Sequence, residues 1–125
     1  MIETVKVSEK AKVQLITLKR RTGIQNWNVI CRWAFCMSLA ERTPPPNEDV
    51  VADSSVEMTW KTFTGGREDL YSSLLLLRAK KDGIQFDEAE INNYFKLHLH
   101  RGISYLNGSP TETIEKFLKL AIKTS

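Results

Sequence analysis

The sequence predicts a mainly α protein, a small helical bundle with a short strand at its start and a further extended stretch in its middle. Three observations predict it. Apolar residues recur at spacings of three and four over most of the chain. Glycines stand just past these periodic runs (Gly23, Gly83, Gly108), and residues that cap helices stand before them (Ser8, Asp87, Ser109). Strict alternation is confined to "TVKVS" at 4–8 and "VEMTWKTF" at 56–63.

The first alternating stretch sets Val5 and Val7 on one face and Thr4 and Lys6 on the other. Ser8 caps a helix running to about Arg21, with Ala11, Leu15 and Leu18 in one stripe and Val13 and Ile16 opposite. Two stripes on one short helix imply cover from two directions. Lys12 and Lys19 follow one edge, Lys10 and Arg21 the other. Gly23 closes the helix and Asn26 or Asn28 opens the next. From Trp27 to Ala40 that second helix is apolar nearly all round, with Arg32 its only charge, and is expected to be central, in the core or at a subunit interface.

"RTPPPNED" at 42–49 cannot continue a helix and reads as an exposed polyproline-like connector. The stretch 56–63 reads as a strand or extended arm, turned at Gly65-Gly66. A third helix over about 67–82 takes Leu70, Leu74 and Leu77 as its inward stripe, with acids in its first turn and lysines in its last. Asp87 and Glu90 form a capping box for a fourth helix to about Asn107. Ser109-Pro110-Thr111-Glu112 is a second box, opening a final amphipathic helix.

The chain reads as a single domain over 1–125, with a basic strand–helix–helix unit at 1–42, a connector and arm at 43–66 and a helical part at 67–125. Its net charge of +3 is unevenly spread. Residues 1–42 hold eight Lys/Arg against three Asp/Glu, and 43–66 hold one against four. A basic N-terminal third is the footprint of a surface that meets phosphates. No apolar run reaches the ~18 residues of a membrane span and no signal-peptide core opens the chain, so a cytoplasmic location is expected. Cys31 and Cys36 read as reduced core thiols.

Catalytic signatures are sparse. There is no phosphate loop, nucleophile elbow, CxxC pair or HExxH. His98 and His100 in "LHLHRG" lie about 200° apart on a helix and cannot chelate one ion together. His98 reads as a hydrogen-bonded core histidine, and His100 as facing outward near Lys96. Gly102 inside the helix marks a close helix–helix approach. No metal and no cofactor are expected. The strand, helix, glycine turn and second helix follow the order of a ribbon–helix–helix module, in which strands of two copies pair. Thr4 and Lys6 are then the outward strand residues, and Asn26-Trp27-Asn28 the phosphate-facing helix start.

The run "LKRRTGIQNWNVICRWAFCMSLAE" (18–41), with "VEMTWKTFTGG" (56–66) and "FKLHLHRGISYLNG" (95–108) after it, resembles the DNA sulfur modification protein DndE family. The resemblance implies a mostly helical homotetramer that works with the DNA phosphorothioation machinery and binds DNA, nicked duplex by preference, through basic residues. Sulfur activation and transfer fall to partner proteins: a cysteine desulfurase, an adenylating iron–sulfur protein and an ATPase. Carried onto this chain, the basic patch corresponds to Lys10, Lys12, Lys19, Arg20 and Arg21, to which the strand face adds Lys6. Val29, Trp33 and Phe35 of the apolar helix are the expected oligomer contacts. The function expected is therefore a non-catalytic DNA-binding accessory subunit. The alternatives are a metal-assisted nicking enzyme using His98 or His100, and a protein-only scaffold or repressor of the same system.

Overall fold

The computed structural model describes residues 2–109 as five helices and a two-stranded sheet. The order is β1 (Thr4–Lys6), α1 (Glu9–Thr22), α2 (Trp27–Ala40), β2 (Glu57–Thr59), α3 (Trp60–Thr64), α4 (Glu68–Lys81) and α5 (Glu88–Gly108). The mainly helical class read from sequence is therefore correct. The expected final helix after Pro110 lies outside the described residues. Among the described helices none is long and apolar enough to cross a membrane.

Local chemistry accounts for most boundaries. The Ser8 hydroxyl accepts from the Ala11 N–H at 3.1 Å, and Gly23, at φ +76°, donates its N–H to the Lys19 carbonyl at 2.9 Å. Asp87 accepts from the N–H groups of Ala89 and Glu90 at 2.8 and 3.4 Å to start α5. The expected arm over 56–63 is strand only at Glu57–Thr59. There the Thr59 hydroxyl takes the Thr62 N–H at 3.1 Å, so a helical turn replaces the alternation and Gly65 closes it.

β1 pairs with β2 antiparallel, Thr4 opposite Thr59 and Lys6 opposite Glu57. Along that edge, the strand partner expected from a second copy is supplied by the chain itself. The Trp60 N–H donates to the Glu3 carbonyl and the Ser54 N–H to the Val7 carbonyl, extending the clasp at both ends.

Inside, α5 packs along α2 and against α1. At Gly102 the two backbones nearly touch: a Cβ there would lie 1.7 Å from the Ala34 carbonyl oxygen. Phe35, Phe63 and Phe95 meet in this core with ring centroids 5.2–5.9 Å apart, in tilted and edge-on contacts.

α2 buries Ile30, Cys31, Ala34, Phe35 and Ser38 and leaves Val29, Trp33 and Met37 half-buried, while α5 is the helix enclosed on most sides. The face expected of the third helix needs correction. α4 turns Leu75 and Ala79 inward instead of the predicted Leu70, Leu74 and Leu77. Leu70 and Leu77 are 47% and 67% exposed.

Candidate nucleic-acid interface

The inward stripe of α1, Ala11, Leu15 and Leu18, is fully buried, which orients its cations outward. Lys10 and Arg20 are exposed, and Lys12, Lys19 and Arg21 half-buried along the edges. Their engagements differ. Lys12 donates to the Ser55 hydroxyl at 2.8 Å. Lys6 pairs with Glu57 across the sheet at 3.9 Å, both about half exposed, a contact of little energetic weight. Lys19 sits 3.7 Å above the centre of the Trp27 ring, which holds its ammonium at the start of α2.

Arg21 belongs elsewhere. Its guanidinium donates to the carbonyls of Asn107 and Ser109 at 2.8 and 2.6 Å, tying α1 to the end of α5. That end is where helix carbonyls lack internal partners. Lys19, Arg20 and the start of α2 thus come together at one corner. Lys10 lies on the other edge of α1, lining a cleft of about 560 Å³ with Glu48, Asp49 and Tyr105. At the corner Asn26 precedes α2 without a side-chain cap bond, and no acid occupies the first turn. Asn28 instead donates to the Thr62 carbonyl at 3.1 Å.

Of the expected oligomer contacts, Phe35 is 0% exposed inside the chain, so its surface is already spent on the fold. Val29 and Trp33 are half-buried.

The histidines both point inward. For His98 this matches expectation; for His100 it is a correction. His100 accepts the Ser8 N–H at Nε2 (3.0 Å), so Nδ1 carries the proton and donates to the Lys96 carbonyl at 2.7 Å. The wheel suggested solvent on that side, but α1 packs there. The Ser38 hydroxyl accepts from Arg101 Nε at 2.8 Å and shares a 2.7 Å hydrogen bond with His98 Nδ1. Burial, then the positive charges of Arg101 and Arg78, push the His98 pKa down to about 3. Burial likewise lowers His100.

A polar network around the end of α2 was not anticipated from sequence. Arg78 donates to the carbonyls of Leu39, Glu41 and Thr43 and to the Asp82 carboxylate. Arg101 donates to the carbonyls of Ser38 and Thr43 at 2.8 Å each. Burial alone would raise the Asp82 pKa, but hydrogen bonds from Tyr94 and Arg78 hold it below the usual carboxylate range. No local pattern around Arg78 signals these contacts, since the carbonyls lie 35–39 residues away in sequence.

Neither thiol is poised for chemistry. Burial pushes Cys31 up to about 12 and raises Cys36, so both stay protonated near neutrality.

The family described as DNA sulphur modification protein DndE matches residues 4–113, nearly the whole described chain. The chain belongs to the DndE family. No curated protein matches it. Among solved structures, DndE from Escherichia coli B7A, described as involved in DNA phosphorothioation modification, superposes with a TM-score of 0.71. It is 22% identical, over 85% of this chain and 98% of that one. A glycine-to-lysine double mutant of DndE, described as involved in DNA phosphorothioation, gives 0.68 at 18% identity, over 87% and 100%. At these identities the likeness carries the DndE fold.

Proposed function

We propose that this DndE-family protein is a non-catalytic accessory subunit of DNA phosphorothioation that holds duplex DNA, nicked duplex by preference, against a basic surface. The observation that carries the reading is the division among the α1 cations. Arg20 and Lys10 are exposed and Lys19 is held over Trp27 at the α2 start, while Arg21, half-buried, is bonded to carbonyls at the end of α5. Lys6 and Lys12, which contact Glu57 and Ser55, are the further candidates for phosphate contact. The side chains facing solvent are those suited to phosphate oxygens, and they form no pattern that would read bases. A nick softens the duplex, so bending it over such a surface takes less energy.

The buried histidines and protonated thiols support a role without chemistry of its own. Sulfur activation and transfer then belong to partners: a cysteine desulfurase, an adenylating iron–sulfur protein and an ATPase. The protein works in the cytoplasm as a homotetramer, which repeats the basic corner on one assembled object.

Fluorescence anisotropy with matched intact, nicked and single-stranded oligonucleotides across a salt series tests this, with mass measured by light scattering. With ~4–6 phosphate contacts on an assembled face, log affinity falls against log salt with a slope near −4 to −5. Replacing Lys19 and Arg20 together weakens binding equally on unrelated sequences and flattens that slope. Absence of binding at low salt would leave a protein-only scaffold. Binding confined to one sequence would indicate a repressor.

A further inference from the structure

We propose that α4 is a docking face for a second copy of this chain, packing antiparallel on its α4 through Leu70, Leu74 and Leu77. This rests on the proposed homotetramer, to which it assigns a surface, and needs no DNA contact.

The three leucines, spaced four and three apart, lie along one face of α4, about 10 Å from Leu70 to Leu77 at 1.5 Å per residue. This is the spacing by which helices form a seam with one another. The inward side of α4 is already filled by Leu75 and Ala79, so the leucine face is not a displaced core stripe. Leu70 remains 47% and Leu77 67% exposed, with Leu74 half-buried between them.

Charge selects the occupant and its direction. The first turn of α4 carries Glu68 and Asp69, and the last turn carries Arg78, Lys80 and Lys81. On the wheel Asp69 and Lys80 flank the leucine face along the same edge, at opposite ends of the helix. A second α4 laid antiparallel brings acidic end against basic end twice, and opposes the two helix dipoles. Laid parallel, like charges meet at both ends. Arg78 is not available for this pairing, since its guanidinium is spent on Asp82 and on carbonyls after α2. The surface is self-complementary about a two-fold axis near Ser73 and Leu74, as an isologous contact requires.

Light scattering and cysteine cross-linking test the assignment. Leu77→Lys, at a position that bears little on the fold, is expected to halve the mass of the wild-type particle. Asp69→Lys weakens association, and adding Lys80→Glu to the same chain restores it. Ser73→Cys, exposed beside the axis, forms a disulfide-linked dimer on mild oxidation. Asp69→Cys and Lys80→Cys proteins cross-link when mixed under exchange and not when oxidised alone. An unchanged mass for Leu77→Lys overturns the proposal and leaves the face to a different partner. Efficient self-cross-linking of Asp69→Cys overturns the antiparallel arrangement. The two readings fail separately: DNA binding with unchanged Leu77→Lys mass refutes only the α4 contact, and a halved mass without DNA binding refutes only the DNA reading.

Discussion

Arg78 and Arg101, at the end of α2, turn their guanidinium groups onto backbone carbonyls, whereas Lys10 and Arg20 on α1 stand in solvent. Both regions carry closely spaced positive charge, and the difference lies in what surrounds it. Where α2 stops, at 38–43, the chain leaves the helix with carbonyls that lack intrahelical partners, and two planar guanidinium forks supply the donors. The outer side of α1 has no such demand, since its own helix satisfies its backbone. A count of basic residues therefore overstates the surface available to phosphate, and the residues to subtract are those facing a helix end.

The largest effect on stability is expected at the seam that the arginines flank. Gly102→Ala puts a methyl group 1.7 Å from the Ala34 carbonyl, a backbone atom that cannot swing aside. The helices must separate, with a cost at or above the ~3 kcal/mol upper range of overpacking. For a chain of this size that is a fall in Tm of about 3–5 °C per kcal/mol, measured by calorimetry. Next comes Arg78→Met, which leaves the Asp82 carboxylate short of its partner and the carbonyls of Leu39 and Glu41 without donors. A loss of about 3 kcal/mol in urea denaturation is expected. Arg78→Lys recovers only part of it, because one ammonium cannot reach carbonyls on three residues.

These two sites differ in how far the sequence announced them. A glycine inside an otherwise periodic helix is a local anomaly, and Gly102 could be read as a close approach without knowing its partner. Ser8, Gly23 and Asp87 were legible for the same reason, since caps act on neighbours in the chain. Arg78 acts on carbonyls some 35–39 residues away in sequence, and nothing nearby points to them. The face of α4 was misread because Leu74 to Leu77 are four leucines in a row, which offer an apolar side in every direction. Small Ala79 and the reach of Arg78 decided the inward side. His100 failed similarly: a wheel reports angles on one helix and knows nothing of α1 lying across it. The basic cluster was visible as a cluster, but its division into outward Arg20 and inward Arg21 depends on where α5 ends.

A pH titration sharpens the same contrast for buried bases. The His98 pKa lies below its unfolded value, so the folded state favours the neutral ring. Stability from this group is complete above about pH 6.5 and is lost as pH falls toward 3, because the unfolded chain takes up the proton first. The loss should reach roughly 2–3 kcal/mol by pH 4.5, read from urea midpoints at pH 7 and 4.5. His98→Gln flattens the part belonging to this ring. The remaining slope includes His100, which is lowered in the same direction. An acid dependence identical in His98→Gln would mean that His98 takes up its proton as readily in the folded protein as in the unfolded chain.

The smallest effects on stability separate adjacent residues. Arg21→Ala removes two charge-assisted donors from the end of α5, and about 1–2 kcal/mol of stability should go with them. Arg20→Ala, exposed on the same turn, should change stability by less than about 0.5 kcal/mol. On DNA the order reverses. Arg20→Ala should lower the salt slope by about 0.9 for each phosphate that Arg20 neutralises, and Arg21→Ala should leave it unchanged below its unfolding temperature. Anisotropy and thermal denaturation on the two variants therefore form a crossed experiment. If Arg21→Ala flattened the salt slope while leaving Tm intact, its carbonyl bonds would carry no weight in solution and the division of the α1 cations would have to be redrawn. If both variants bound DNA like the parent, the phosphates would lie against Lys19 at the α2 corner, held there by Trp27 whatever its neighbours do.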